Sequence, residues 1–430
     1  GLDATGDYSV AEGYNTTASG DYSHAEGNST TASGQASHSE GNDTNASGDY
    51  SHAEGDNTIA GWKGFSIDSV VDGLVTLNSS YGDVTSEFTI GTVILDYKLY
   101  DYTDVTFSST TNTEILLYDN TINSGGYIAD LTNLNSQYAN YFMGGASHSE
   151  GDNSKALGES SHAEGYYSTS IGYGSHAEGG YYDDGDYNGG LAIGKSSHAE
   201  GVFTTAIGLG SHVEGNYTTT LANYSHAEGY NNKTGYRAFN TDSNGIVNGL
   251  ITLDSKYGDV TSEFSGSLYI GLRYRKQIKT ITFSSNTNTE IFLVDEEFNW
   301  TGYVHDICPL GDYHNPKADI QETQFSHTEG YQNKSLSNAT HTEGESNEAI
   351  GTYSHAEGGG NRSFGIRSHA EGHYTQSLGD NSHAEGFYTV SKGDNSHAEG
   401  DHTKSYGIES HAERSEEHTS ELQSRQYLVC

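Results

Sequence analysis

Small and polar residues alternate along most of this chain in a fixed rhythm. The pentapeptide S-H-A-E-G and its variants, with small residues at the first, third and fifth positions, recur in seventeen copies. A looser unit such as T-T-A-S-G lies between copies, and two-residue links make a period of 14 residues. Alternation closed by glycine and a short link predicts one short β-strand per unit. The histidines lie at 24, 38, 52, 148, 162, 176, 198, 212, 226, 327, 341, 355, 369, 383, 397 and 411, and Val10 replaces the first.

The alternation also predicts which face of each strand lies inside. Ser23, Ala25 and Gly27 share one face of the first strand, and His24 and Glu26 share the other. Since the face that is always small must line the interior, the two strands of one turn lie close together. Stacked turns then form a flattened β-roll. So thin a roll buries little apolar area per chain, and we expect oligomerisation to stabilise it.

Two longer segments interrupt the rhythm and resemble each other. The sequence G-D-V-T-S-E-F at 82–88 recurs at 258–264, an offset of 176 residues. Alternating stretches such as 74–77 and 115–118 predict strands, so each insert is expected to be a small β-barrel or sandwich that projects sideways from the roll. The predicted domains are roll repeats at 1–60, 145–235 and 325–413, with inserted β-domains at 61–144 and 236–324.

Residues 414–430 do not continue the repeat. They read R-S-E-E-H-T-S-E-L-Q-S-R-Q-Y-L-V-C, which matches the translation of a common sequencing adapter, and we expect this segment to be non-native. The alternative is a genuine charged tail. Without the segment Cys308 is the single cysteine, which leaves no disulfide framework and no cysteine-based zinc site. The sequence begins at Gly1 without an initiator Met or a signal peptide, and we expect this residue to be the edge of a fragment.

Composition excludes several kinds of partner. Hydrophobic residues make up 32% of the chain, beside 55 glycines and 33 tyrosines, so a thick aliphatic core cannot form. Lys and Arg number 19 against 59 Asp and Glu, and the formal net charge of -40 repels nucleic acid and anionic membranes. No apolar run approaches the roughly 20 residues that span a bilayer, so direct membrane insertion is not expected.

The repeats resemble the Hep/Hag repeats of YadA-like trimeric autotransporter adhesin heads. They share the 14-residue period and the S-x-A-x-G, x-x-A-x-G alternation, visible at 204–215. The resemblance implies a left-handed parallel β-roll packed as a homotrimer, with adhesion as its role. The S-H-A-E-G form departs from the family, whose members usually carry Val and Ile, and looks more like repeats in phage tail-fibre and appendage proteins. The owner is therefore a phage virion tail or a bacterial cell surface.

The repeated His-x-Glu pair raises the question of chemistry. A catalytic site is a single supported constellation, whereas this pair recurs in sixteen copies, so neither a catalytic residue nor enzyme activity is expected. Spacing along one strand places the two side chains about 6.6 Å apart, which makes chelation by one chain poor. Three chains around an axis would close a metal ring or a hydrogen-bonded ring. No cofactor is predicted, and the candidate metal ligands are His24, Glu26, His38, Glu40, His162, Glu164, His369 and Glu371.

Two positions for this row of His and Glu remain open. Constant residues beside variable neighbours favour a polar seam between subunits, because half-satisfied buried polar groups cost about 1–3 kcal/mol. In a seam the stacked carboxylates would raise the histidine pKa, and stability would fall as the pH rises. Neutral histidine would give a flatter profile, and bound metal would reverse it. The alternative is a solvated row, with the trimer contact made by the apolar positions Leu157, Ile171, Ile193, Ile207, Leu221, Ile350 and Leu378.

The sequence thus predicts a structural and adhesive fibre segment, outside the cell, that attaches to a host cell or surface receptor. Its expected partners are two further copies of the chain and a surface glycan or protein. One alternative is a purely structural trimeric stalk without a ligand site. Another is an ice-binding threonine row, which the breaks at Asn45, Lys155 and Lys404 disfavour. Aromatic residues of the inserts are the candidate receptor contacts, at Tyr97, Tyr100, Tyr102, Tyr269 and Tyr274.

Overall fold

The computed structural model is an all-β chain. It describes residues 1–88, 92–96, 98–107, 113–117, 122, 124–130, 134, 141–183, 186–235, 237–253, 260, 267–270, 274–283, 289–294, 303–306, 319–320 and 323–414. The chain forms two units, residues 1–214 with 237–321 and residues 215–236 with 322–430. Within the described part, the helical elements are two short 3-10 turns, Ser79–Tyr81 and Thr85–Glu87.

Each repeat contributes one long strand and one short strand to a parallel β-roll. The long strand begins at the histidine of the pentapeptide, as in His24–Asn28, and the short strand covers two residues of the looser unit, as in Thr31–Ala32. Both pair in parallel with the next repeat, so that His24 lies beside His38 and Thr31 beside Asn45. The prediction of an all-β roll with a 14-residue repeat is confirmed, and each residue neighbours its own equivalent.

The strands of the roll occur in both units. In the first unit the long strands are Val10–Tyr14, His24–Asn28, His38–Asn42, His52–Asp56, His148–Asp152, His162–Tyr166, His176–Glu178, His198–Val202 and His212–Asn216. Its short strands are Leu2–Ala4, Thr16–Ala18, Thr31–Ala32, Asn45–Ala46, Ile59–Ala60, Lys155–Ala156, Thr169–Ser170, Leu191–Ala192 and Thr205–Ala206. In the second unit the long strands are His226–Tyr230, His327–Tyr331, His341–Glu345, His355–Gly359, His369–His373, His383–Phe387, His397–Asp401 and His411–Arg414. The short strands there are Thr219–Thr220, Lys233–Thr234, Lys334–Ser335, Glu348–Ala349, Arg362–Ser363, Gln376–Ser377, Val390–Ser391 and Lys404–Ser405.

The serine and alanine positions of the pentapeptide face the narrow interior of the roll, which favours small residues. The serine hydroxyl donates a hydrogen bond to the carbonyl of the glycine three residues earlier, over 2.7 Å from Ser37 to Gly34. The alanine, such as Ala25, is fully buried and packs against alanines of the short strands. Where Ser39 replaces it, the hydroxyl lies 2.7 Å from that of Thr44. The narrow space between the two sheets therefore selects small residues at this position.

The backbone conformation at the end of each pentapeptide requires glycine. Gly386 has a φ of 110°, and a Cβ there would lie 2.2 Å from the carbonyl oxygen of Gly400 in the next repeat. Residues with a side chain rarely adopt this φ, and none fits so close a contact. One expectation is corrected by this geometry. Gly27 does not line the interior with Ser23 and Ala25 but is exposed, because its positive φ breaks the alternation of faces.

In the second unit a row of asparagines occupies an interior position that is often threonine in the first. The side-chain amide of Asn347 donates to the carbonyl of Glu343 over 2.6 Å and to that of Gly358 over 2.8 Å. Its Oδ1 accepts a hydrogen bond from the backbone N–H of Asn361 over 2.9 Å. Asn333 makes the same set of bonds one repeat earlier. Because these amides are fully paired, they fill the interior without an unsatisfied polar group.

The inserts interrupt the roll without changing its register. His52 pairs directly with His148 across the first insert, and removal of residues 62–143 would leave these histidines 14 positions apart. His226 pairs in the same way with His327 across the second, where removal of 236–322 restores the same spacing. Each insert therefore lies between a short strand of the roll and the long strand that follows it.

A third, shorter interruption is a β-hairpin, which the sequence analysis missed. Its strands, Tyr181–Asp183 and Asp186–Asn188, pair antiparallel between two turns of the roll. The sequence signal is the distance from His176 to His198, which exceeds the 14-residue period by eight. Pairs of glycines at 179–180 and 189–190 flank this hairpin.

Each insert is an antiparallel barrel of six strands, with a seventh strand paired to the first. The strands are Trp62–Val71, Leu74–Leu77, Thr92–Leu95, Lys98–Phe107, Thr113–Leu117, Tyr127–Asp130 and Tyr141–Met143 in the first, and Arg237–Val247, Leu250–Leu253, Ser267–Ile270, Tyr274–Phe283, Thr289–Leu293, Tyr303–Asp306 and Asp319–Ile320 in the second. In both, pairing runs in a closed circuit through the first, second, fifth, fourth, third and sixth strands, and the seventh pairs with the first. The cores correspond at the same offset of 176, since Val75, Leu77 and Ile115 match Ile251, Leu253 and Ile291.

The first barrel packs against the roll of its own unit. Trp62, Ile94 and Leu134 of the barrel belong to one buried apolar cluster with Leu157 and Ile171 of the roll. Leu157 and Ile171 lie in the apolar row that is one of the two expected trimer contacts. Since both are fully buried within a single chain, this part of the row cannot contact a second chain.

Replacing Gly386 with alanine is expected to destabilise the roll. The φ of Gly386 costs an L-residue about 1–3 kcal/mol, and the added methyl group meets the carbonyl of Gly400. Thermal unfolding followed by circular dichroism should show a melting temperature several degrees below that of the parent chain. Gly407→Ala is the matched control, since the atom nearest to its added Cβ is 3.5 Å away. Equal losses in both variants would contradict the backbone argument.

Candidate functional site

The histidines of consecutive repeats stack on the outer face of the long strands. With the glutamates two residues after them they form what we call the His/Glu ladder. From His24 to His212 in the first unit, neighbouring ring centroids lie 4.7–4.9 Å apart and the rings are within 13° of parallel. From His341 to His397 in the second unit the separation is again 4.7–4.9 Å. This is the spacing of paired strands, so in-register pairing produces the stack.

Most glutamates of the ladder lean towards a histidine. The distance from Nε2 of His38 to Oε2 of Glu40 is 3.5 Å, and equivalent pairs reach 4.0 Å. Glu178 differs, because its carboxylate lies 3.3 Å from Nε2 of His198 in the next repeat, beyond the short hairpin. Within the described residues, Nε2 of His38 and of His52 is buried and has no hydrogen-bond partner. The ladder thus brings nitrogen and oxygen donors together along one face.

The pKa of six ladder histidines is shifted downwards. Burial lowers the pKa of His355 to about 4, with further lowering from the stacked His341 and His369. Glu343 and Glu371 raise this pKa, but their effect is smaller than the three lowering causes. The pKa of each of five further ladder histidines is lowered first by burial and next by a neighbouring histidine, at His52, His162, His341, His383 and His397. For these six histidines the expectation of a raised pKa is therefore wrong.

The structure brings most of the predicted metal ligands close together. The Nε2 to Oε2 distance is 3.6 Å for His24 and Glu26, and 3.7 Å for His162 and Glu164. These values are shorter than the expected separation of about 6.6 Å, because the two side chains lean towards each other. His369 stacks between its neighbours at 4.8 Å, and within the described part of the chain no ion pair joins it to Glu371.

The candidate receptor contacts lie on barrel strands or outside the described residues. Tyr100 and Tyr102 belong to the strand Lys98–Phe107, while Tyr269 and Tyr274 belong to Ser267–Ile270 and Tyr274–Phe283. Their side chains, and the whole of Tyr97, lie outside the described part. These five residues remain predictions.

An exposed aromatic column on the roll of the second unit was not anticipated. Tyr374 stacks on Tyr388 at 5.0 Å, and Tyr388 on His402 at 5.2 Å. Phe387 packs against the edge of this column at 4.6 Å from Tyr388. All of them occupy the two-residue links, and the signal in the sequence is the recurrence of aromatic residues there every 14 positions.

The geometry of the ladder and the roll defines the class of protein. The same donors recur in turn after turn, so the ladder is a repeated surface and not a single reaction centre. A parallel roll with one periodic polar face is a structural repeat architecture. The described residues contain no helix that is long and apolar enough to cross a membrane.

The family model of the YadA head domain repeat matches residues 4–23, 149–175 and 188–211. The chain therefore carries YadA-like head repeats, and the resemblance seen in the sequence is confirmed. YadA-like heads are trimeric, surface-exposed adhesins, and the match indicates an adhesin-type structural domain. No curated protein matches the chain.

The lowered histidine pKa predicts that stability falls at mildly acidic pH. Between about pH 4 and the unfolded value near 6.5, the unfolded chain binds more protons than the folded roll at His355. Stability is therefore fully present above pH 6.5 and is lost as the pH falls towards 4. Melting scans from about pH 5.5 to 8, a window centred near the ordinary histidine pKa and above the carboxylate range, should show this loss in buffer with a chelator.

The double variant H341N/H355N should flatten that pH profile. It removes two titrating rings and replaces them with side chains that can stack in register. A melting temperature that rises as the pH falls, in the parent chain, would contradict the lowered pKa.

Proposed function

We propose that this chain is a segment of an extracellular attachment fibre that binds a host cell or a surface receptor. The observation that carries the proposal is the in-register roll, in which each described long strand pairs with its equivalent in a neighbouring repeat. Such a roll grows by about 4.8 Å per repeat. It serves to hold other domains away from a surface, and the YadA-like repeats support an adhesive role.

In this proposal the two barrels carry the receptor contact. The roll presents nearly the same groups in every turn, whereas the barrels present loops that do not repeat and are rooted in a rigid scaffold. Tyr100 and Tyr102 of the first barrel, and Tyr269 and Tyr274 of the second, are the proposed contacts for a surface glycan or protein. Tyr97, which precedes Tyr100 in the sequence, is the fifth proposed contact.

The working assembly is proposed to be a homotrimer with the His/Glu ladder at the subunit seam. Two observations support this choice of face. The apolar row is already covered by the first barrel at Leu157 and Ile171, so it cannot serve along the whole roll. The ladder continues past that point, through His148 and His162, whose buried Nε2 atoms have no hydrogen-bond partner among the residues that the structure describes. A second chain would supply partners to such atoms.

The second candidate function is a purely structural stalk without its own ligand site. It is favoured by the contact between the first barrel and the roll, since a barrel packed in this way also acts as a brace. The owner is proposed to be a phage virion tail or a bacterial cell surface. The formal charge of -40 supports a role without nucleic acid, and no catalytic role is proposed.

Sedimentation at micromolar concentration should show a trimer of the whole chain. Glu371→Lys reverses a charge in the ladder and is expected to shift the equilibrium towards monomer, because it disrupts the seam. Leu378→Glu introduces a charge into the apolar row and is the matched control, which should leave the trimer intact. A folded monomeric parent chain would contradict the trimer, and dissociation by Leu378→Glu alone would move the contact to the apolar row.

Removing both barrels should abolish receptor binding and leave the roll folded. Deletion of 62–143 and 236–322 restores the 14-residue spacing at both joints. Because the first deletion uncovers Leu157 and Ile171, both should be replaced by serine, the residue found in that row at Ser33 and Ser47. Circular dichroism checks the fold, and binding to host cells and glycan arrays is compared with the parent chain.

Each outcome of that comparison separates the candidate functions. Loss of binding with a folded roll supports the barrels as the recognition domains. Unchanged binding by the barrel-free chain would assign recognition to the roll. A parent chain that binds no cell and no glycan would favour the stalk.

A further inference from the structure

Neighbouring repeats bring three metal-binding donors together in the ladder. His38, Glu40 and His52 each offer one ligand atom, and the three atoms lie within 4.8 Å of one another. The same grouping occurs in His162, Glu164 and His176 and, in the second unit, in His341, Glu343 and His355. Each group combines the carboxylate of one repeat with imidazoles from that repeat and the next.

The donors of the first group are available within one chain. Nε2 of His38 and Nε2 of His52 are buried and have no hydrogen-bond partner in the described part of the chain. The carboxylate of Glu40 lies 3.5 Å from the first of them. Since a buried polar atom without a partner is costly, a bound cation would satisfy atoms that are otherwise unpaired.

The donor type selects the class of cation. Imidazole nitrogen suits zinc and other divalent transition metals, whereas calcium and magnesium require oxygen ligands. A tetrahedral zinc ion with bonds of about 2.0–2.1 Å needs donors about 3.3 Å apart. The parallel rings of His38 and His52 must therefore rotate towards Glu40 to close the site. Water completes the coordination, as in other zinc sites with three protein ligands.

We infer that the His/Glu ladder is a linear array of binding sites for divalent transition-metal cations, each built from two histidines and one glutamate of adjacent repeats. One Nε2 ligates one ion, so neighbouring groups that share a histidine cannot be filled together. The sixteen ladder histidines, eight in each unit, therefore hold at most eight ions per chain. This inference needs the geometry of a single chain and is independent of the receptor.

The charge of the chain favours such an array. Glutamates of adjacent repeats pair in register, as Glu40 does with Glu54. Two carboxylates about 4.8 Å apart repel each other by roughly 0.9 kcal/mol even in water. A cation beside every second carboxylate reduces this repulsion. The formal charge of -40 also raises the local concentration of cations at the surface.

Equilibrium dialysis of the metal-free whole chain against zinc at pH 7.5, with metal analysis, tests the inference. We expect several zinc ions per chain, saturating at no more than eight, and no comparable uptake of calcium. Replacing His327, His341, His355, His369, His383 and His397 with asparagine should reduce the zinc content by about half, since the ladder of the second unit is then lost. Zinc content below one per chain at about 1 mM zinc, where any site would be very weak, or an unchanged content in this variant, would overturn the inference.

A charge-matched pair of variants decides the question if the asparagine variant does not fold. E343Q/E357Q removes two ladder carboxylates, and E345Q/E409Q removes two exposed carboxylates outside the ladder. Zinc should raise the melting temperature of the parent and of E345Q/E409Q by mass action. It should raise that of E343Q/E357Q clearly less. Equal shifts in the two variants would overturn the inference.

Discussion

The structure depends on the in-register stacking of each residue on its own equivalent in the next repeat. Parallel pairing of His24 with His38 and of Glu26 with Glu40 sets this relation for every letter of the repeat. A residue in such a roll must tolerate an identical neighbour about 4.8 Å away. Alanine does so because it is small, and asparagine because its amide bonds to the adjacent turns. Histidine and tyrosine do so by stacking their rings. The unusual composition of the chain follows from this requirement.

The same stacking determines the electrostatics of the outer face. A column of glutamates repels itself, and His355 resists protonation because it is buried and has another histidine ring on each side. At His355 burial and the two neighbouring rings together exceed the attraction of the glutamates. His355 therefore does not act as a cation that neutralises the carboxylates. Nε2 of His38 and of His52, which has no hydrogen-bond partner among the described residues, can act as an acceptor or a ligand instead, and this property underlies both the proposed seam and the proposed metal array.

The inserts show how such a roll can carry other domains. Each barrel leaves the roll at a corner and returns so that His52 still pairs with His148, and His226 with His327. No turn is lost, because the backbone enters and leaves at adjacent points. The first barrel then packs Trp62 onto Leu157 and Ile171, which ties the insert to the scaffold. Recognition by the first barrel would thus be held in a fixed position on the roll of its own unit.

The sequence by itself determined the period, the short strands, the small interior and the place of both inserts. These features follow from local alternation, which strand geometry converts directly into faces. Three features were decided only by the tertiary structure. The pKa of His355 depends on its burial and on rings from adjacent turns, and the sequence places those rings 14 residues away. The covering of Leu157 and Ile171 depends on a barrel that folds back onto the roll. The exposure of Gly27 depends on a positive φ that alternation cannot reveal. In each case the deciding contact is made across the fold, and strand periodicity carries no information about it.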